Sequence, residues 1–220
     1  MRPPGVYTPQ GDTSLLNETV GRAAVVNGAR VLDVCTGTGA VAMAAARGGA
    51  AHVTAIDISS RAVLAARVNA RVRGVRMRVL QGDLFMPVAN EVFDVIVANP
   101  PYVIGGTDPR GRARAWDAGP QGRMILDRIC AEAPRYLAPG GTLLIVHSAF
   151  SGAGASLKAL RRAGLRAVVA ARRAEPFGPV MRSRAALLEQ RKIIRPGQRF
   201  EELVVIRADR IATRDGALAG

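Results

Sequence analysis

The sequence is poor in cysteine, lysine and aromatic residues. Its two cysteines, Cys35 and Cys130, are too few for a disulfide framework or a cysteine-based zinc site. The expectation is a reduced cytoplasmic protein with no metal centre. Aromatic residues make up 4% of the chain, which leaves no stacking platform for single-stranded nucleic acid. No stretch approaches the roughly 18 apolar residues of a membrane span. The opening Met1-Arg2-Pro3-Pro4-Gly5 has no apolar core of a secretory signal.

Against these absences, 49% of the 220 residues are hydrophobic, enough for one large domain with a substantial core. The net charge is +14, and of the 31 basic residues only Lys158 and Lys192 are lysines. An arginine excess of this size attracts nucleic acid or ribonucleoprotein. It also fits arginine-for-lysine usage in an alanine- and arginine-rich, GC-biased genome, and both readings stay open.

Periodicity and turn residues divide the chain into alternating strands and helices. Residues 1–11 are rich in proline and glycine and read as irregular. Asp12-Thr13-Ser14 reads as a helix N-cap before Leu15, Leu16, Val20, Ala23 and Ala24. Strands are expected over 30–35, 52–57, 75–80, 92–98, 142–147, 165–171 and 201–208. Helices are expected over 40–47, 59–73, 122–137 and 156–163. Residues 172–199 read as a basic insertion with helical spacing over 184–190, and 209–220 as a polar tail. The pattern implies a single α/β domain over 1–220, a doubly wound, mostly parallel seven-stranded sheet. Because no clear helical crossover joins the last two strands, one antiparallel edge strand is expected.

Asn99-Pro100-Pro101-Tyr102 ends the fourth expected strand abruptly, since proline lacks an N–H and holds its predecessor extended. Open α/β sheets bind ligands at such strand ends. Asn99 offers an amide, Pro100 a rigidly aimed carbonyl, and Tyr102 a flat ring. With Pro101 they suit a planar N–H2 group, two acceptors for its protons and a face to stack on. Asn99, Pro100 and Tyr102 are therefore the candidate catalytic residues.

Upstream, Asp33-Val34-Cys35-Thr36-Gly37-Thr38-Gly39 is a strand running into a glycine turn and a helix. Its glycines permit close approach of backbone to ligand. Asp57 closes the next strand, the usual place of a carboxylate that binds ribose hydroxyls. NAD satisfies this much. However, Asp33 suits an ammonium better than a pyrophosphate, Asp83 is placed for an adenine amino group, and the Asn-Pro-Pro-Tyr turn has no role in hydride transfer. S-adenosylmethionine, a cation carrying adenosine and an amino acid, satisfies all of them.

With these motifs the chain resembles class I S-adenosylmethionine-dependent methyltransferases that act on planar amide or amino nitrogens. Within them it resembles the short form of the HemK-type release-factor glutamine N5-methyltransferases. The resemblance rests further on Val6-Tyr7-Thr8-Pro9-Gln10-Gly11-Asp12-Thr13, on the loop from Ala115-Trp116-Asp117 to Arg123, and on Tyr136-Leu137-Ala138-Pro139-Gly140-Gly141. It implies that Thr13 contacts the methionine carboxylate, Asp33 and Cys35 flank the methionyl part, and Gly37 and Gly39 approach the cofactor. Asp57 with Ile58 would hold the ribose, and Asp83 and Leu84 would frame the adenine. Asn99, Pro100, Pro101, Tyr102 and Trp116 would take the substrate, with Asn99 also beside the cofactor. The implied protein substrate is a translation release factor carrying a Gly-Gly-Gln loop. Archaeal and eukaryotic relatives work with a small zinc-containing activator, which makes such a partner conceivable here. Thr8 and Gly11 depart from the family, whose members usually carry acids there. Two other functions compete: an adenine N6-methyltransferase on RNA or DNA, favoured by the charge, and a non-catalytic RNA- or ribosome-binding protein.

Overall fold

The computed structural model describes residues 1, 3–23, 27–105 and 115–212. The expected helical residue Ala24, most of the glycine- and arginine-rich loop after Tyr102, and the polar tail from 213 onward lie outside them. Seven strands form one sheet: β1 (Arg30–Val34), β2 (His52–Asp57), β3 (Arg78–Gln81), β4 (Phe93–Ala98), β5 (Leu137–Ser148), β6 (Arg166–Pro176) and β7 (Phe200–Asp209). Six α-helices connect or flank them among the described residues: α1 (Gly11–Ala23), α2 (Ala40–Arg47), α3 (Ser60–Val72), α4 (Met124–Glu132), α5 (Ala153–Arg162) and α6 (Pro179–Gln190). No helix there is long and apolar enough to cross a membrane.

The sheet order is β3-β2-β1-β4-β5-β7-β6, with β1 to β5 parallel. The chain winds outward from β1 on one side and from β4 on the other, so a crevice opens between their carboxyl ends. β1 and β4 are buried along almost their whole length, because neighbours and helices cover both edges and faces. α2 is alanine-rich and packs close to the sheet, with Ala42 and Ala45 fully buried. α3 buries Ala62, Val63, Ala65, Ala66, Asn69 and Ala70, spaced at three and four residues, behind an N-cap in which the Ser59 hydroxyl accepts from the Ala62 N–H.

The antiparallel strand is not at the edge. β7 pairs antiparallel with both β5 and β6, and β6 forms the edge. The reason is burial: Val204, Val205 and Ile206 are fully buried consecutive residues, which only an interior strand can cover on both faces, whereas β6 alternates with exposed positions. The basic stretch after residue 171 continues β6 to Pro176 and then forms α6, longer than the helix expected over 184–190. Pro134 ends α4 in a short 3-10 turn, Ala133–Arg135.

Glycines set the turn after β4. Gly122 has φ 67°, and a Cβ there would lie 2.3 Å from the Tyr102 carbonyl oxygen, which also accepts a 2.8 Å bond from the Ser151 hydroxyl. Gly164 has φ 85° with open space around it. Gly164→Ala should therefore cost only the left-handed backbone penalty, about 1–2 kcal/mol. Gly122→Ala should cost that and the clash, lowering the melting temperature by about 5 °C or more. Thermal denaturation of the two variants side by side checks the difference.

Candidate active site

A cleft of about 1130 Å³ runs along the carboxyl rim of the sheet. β1, β2 and the segment after β3 form one half, and β4, the start of α1, Trp116 and α6 the other. Thr13, Asp33, Cys35, Gly37, Asp57, Ile58, Asp83, Leu84, Asn99, Pro100, Pro101, Tyr102 and Trp116 all line it. Gly39 does not. With φ 81° it is the left-handed N-cap of α2, and a Cβ there would press on Ala66 and Met77. Its smallness lets α2 and α3 pack closely rather than admitting a ligand.

In the first half, Asp57 pins the glycine turn. Its Oδ2 accepts from the Gly37 N–H at 2.8 Å and its Oδ1 from the Ser59 N–H at 2.9 Å. Gly37 itself, φ 56°, has nothing within 4 Å of a built Cβ, so its backbone faces open space. Asp33 is 1% exposed. Its Oδ2 accepts from the Thr36 hydroxyl at 2.6 Å and the Ala42 N–H at 3.0 Å, and neither bond uses Oδ1. Burial pushes the Asp33 carboxyl up to about 7 despite those two bonds, and burial also raises Asp57. Cys35 and Leu84 hold left-handed backbone, at φ 62° and 48°, which non-glycine residues adopt at a cost. Asp83 does not stand free. Arg128 grips both its oxygens at 3.0 Å, a bidentate pair expected from neither motif nor spacing.

In the second half, Asn99 follows directly on β4, whose Ala98 pairs with Val34. Its Nδ2 donates to the Thr13 hydroxyl at 3.2 Å, which turns Oδ1 away from that bond as an acceptor. Tyr102 differs from expectation. Its hydroxyl donates to Asp12 Oδ2 at 3.0 Å, and Tyr7 donates to the same oxygen at 2.7 Å. Burial, then Asp12, raises the pKa of both phenols, which remain donors at neutral pH. Asp12 sits inside the first turn of α1 and is buried, so it is a hub of the site and no mere cap. Sequence reasoning missed it, although the tyrosine five residues earlier was in view. Trp116 is half-buried, and its carbonyl accepts from the Val103 N–H at 2.8 Å. Arg184 of α6 reaches Asp117 at 3.3 Å. α6 thus braces the Trp116 loop. His147 lies outside the cleft, between the Ser148 carbonyl and the Ser156 hydroxyl, and burial pulls it down to about 4.

Asp33 carries a pH signature. Its folded pKa lies above the unfolded value, so its burial penalty is absent below about pH 4, grows as pH rises, and is complete above about pH 7. Asp33→Asn removes that penalty. The variant should gain on wild type at pH 8 relative to pH 5, by on the order of a few kcal/mol. Denaturation curves at both pH values check it; a difference that does not change with pH removes the assignment.

Known proteins share features of this chain. A protein from Methanocaldococcus jannaschii, provisionally named as a protein N5-glutamine methyltransferase, is 35% identical over 181 residues, covering 81% of this chain and 90% of that protein. The release factor glutamine methyltransferase of Bordetella pertussis is 40% identical over 182 residues, covering 75% of this chain; the chain spans only 64% of that protein. Among solved structures, the E. cuniculi Mtq2–Trm112 complex, responsible for methylation of the eRF1 termination factor, shares the fold with TM-score 0.66 at 21% identity, covering 94% of this chain and 99% of that one. The model of the methyltransferase small domain matches residues 3–163, and with nearly three quarters of its length inside that match, the chain belongs to the methyltransferase small domain family.

Proposed function

We propose that this protein transfers a methyl group from S-adenosylmethionine to the side-chain amide nitrogen of a glutamine, in the Gly-Gly-Gln loop of a cytoplasmic translation release factor or a similar protein. The observation that carries the reading is the meeting in the cleft wall, at the end of β4, of Pro100 and Asn99, whose amide donates to Thr13. The names of the relatives support the glutamine, and that of the Mtq2–Trm112 complex the termination factor. A small activator subunit belongs to the same proposal.

The first half of the cleft fits the cofactor. Asp57 stands where two ribose hydroxyls can reach it, the open backbone of Gly37 admits the ligand, and Asp33 offers Oδ1 to an ammonium. When bound, the sulfonium supplies an electrophilic methyl carbon. The chain's own task is to present the nucleophile. An amide nitrogen is weak because its lone pair is delocalised into the carbonyl. Asn99 Oδ1 and the Pro100 carbonyl accept its two N–H bonds, fix the plane, and stabilise the positive charge that develops on nitrogen. Tyr102 and Asp12 hold the turn so that neither acceptor swings away. As the N–C bond forms, the S–C pair stays on sulfur, and the nitrogen, acidic once methylated, releases a proton to water.

Two substitutions separate binding from chemistry. Asp57→Ala should weaken cofactor affinity, each charge-assisted bond contributing about 1.5–3 kcal/mol; titration calorimetry showing wild-type affinity sinks the ribose assignment. Asn99→Ala should leave cofactor affinity near wild type and lower kcat by about 100-fold or more. Methyl incorporation into a release factor, mapped by mass spectrometry, is the readout. Label on RNA adenine and none on glutamine overturns the reading.

A further inference from the structure

Beyond Asp57 the first half of the cleft ends in a pair of opposite charges, Asp83 and Arg128. β1, β2 and β3 lie side by side, and each carries a carboxylate at or near its carboxyl end: Asp33 in β1, Asp57 closing β2, and Asp83 just past β3. Adjacent strands are about 4.8 Å apart. A ligand with its ammonium at Asp33 and its ribose at Asp57 therefore brings its base toward Asp83. The loop that carries Asp83 is fixed in place. The Gly82 N–H donates to the Asp57 carbonyl at 3.0 Å, and the buried Phe85 stacks on Tyr136 with ring centroids 4.6 Å apart. Ile58, Leu84 and Ile125 line the same cleft and give a flat base apolar contact.

Arg128 reaches Asp83 from α4. Its Nη1 and Nη2 each donate to one carboxylate oxygen, both at 3.0 Å, and its Nε lies 3.6 Å from Glu132 Oε1, one turn along the same helix. The side chains of Arg128 and Asp83 are 42% and 36% exposed. A pair so exposed contributes little to stability. What a two-bond fork does supply is orientation, because it fixes the plane of the carboxylate. A carboxylate has about four lone-pair sites, and the fork takes one on each oxygen. The remaining sites then point in set directions.

We propose that Arg128 is the positioning residue that makes this end of the cleft selective for a 6-amino purine over a 6-oxo purine. The inference rests on the cofactor reading above and names the residue that sets its base specificity. A 6-amino group donates to the open lone pairs of the fixed carboxylate. A 6-oxo purine brings an acceptor to that place and moves its donor to the neighbouring ring nitrogen, N1. A carboxylate able to turn would follow the donor. One held by the Arg128 fork cannot, so acceptor meets acceptor and the 6-oxo base is rejected.

The test titrates the full chain by calorimetry with S-adenosylhomocysteine and S-inosylhomocysteine, which differ only at the 6-position of the base and its N1 proton. Wild type should prefer the adenosyl compound about 100-fold. In Arg128→Ala the preference should fall below about tenfold, the adenosyl compound losing affinity and the inosyl compound keeping or gaining it. Arg128→Lys keeps the charge without the fork and should discriminate no better than Arg128→Ala. A role in folding alone weakens both ligands together and leaves their ratio at the wild-type value. A ratio unchanged in Arg128→Ala, or restored in Arg128→Lys, overturns the inference. So does a wild-type preference that survives Asp83→Asn, since another group then reads the base. Wild type that binds both compounds alike overturns the inference and leaves the cofactor reading standing. Wild type that binds neither overturns both.

Discussion

The start of α1 is held across the end of β4 by side-chain hydrogen bonds, and the geometry of the cleft depends on them. Thr13 accepts from Asn99, and Asp12 accepts from Tyr102 and Tyr7. The bonds from Asn99 and Tyr102 join residues far apart in sequence, and they act where the strand ends and the backbone ladder can no longer hold the chain. A proline pair cannot supply ladder donors, so the turn needs side-chain anchors. Ser151 donates to the Tyr102 carbonyl from behind, where the absence of a side chain on Gly122 leaves room for it. The turn is thereby held from more than one side, which is what the proposed presentation of an amide nitrogen requires.

The sheet was legible because its strands are short apolar runs separated by glycine, proline and capping residues, and every expected strand is present. What failed was the place of the antiparallel strand. Leu203-Val204-Val205-Ile206 carries the signal of burial on both faces, but the missing crossover was read as an edge. The site was legible where strand ends and glycines announce it: Asp33, Asp57 and Asn99 lie where spacing placed them. Asp12 and Arg128 were not, because each acts through a contact more than one element away. Asp83 shows the same limit from the other side: its position was right, but Arg128 engages both its oxygens.

Charge is divided unevenly between surface and cleft, whose lining carries several carboxylates beside Arg61 and Arg128. The chain carries +14 overall, yet carboxylates are found along the whole length of the cleft. Much of the arginine is spent locally. Arg78 and Arg30 meet Glu91, Arg172 meets Glu202, Arg199 meets Glu189, and Arg67 and Arg161 donate to backbone carbonyls. Exposed pairs of this kind contribute little stability each. Their positive field faces solvent, while the cleft is lined with carboxylates, so the net charge of the chain says little about what the cleft recognises.

The cost of the site falls on the same residues that give it function. Cys35 and Leu84 hold left-handed backbone, Asp33 is buried as a carboxyl that resists ionisation, and Glu201 keeps an oxygen without a partner. The left-handed backbone is a conformational cost, and the buried carboxyl and the unpartnered oxygen are unfavourable without a donor or a positive charge beside them. The middle of the cleft is different: Asn99 and Pro100 are neutral, and they present dipoles in place of charges. Carboxylates toward the two ends and uncharged dipoles between them suit a reaction in which positive charge moves a short distance from one bound group to the next. A formal charge at Asn99 would bind both cationic ends of that transfer indiscriminately, whereas a fixed dipole favours the nitrogen only as its charge develops.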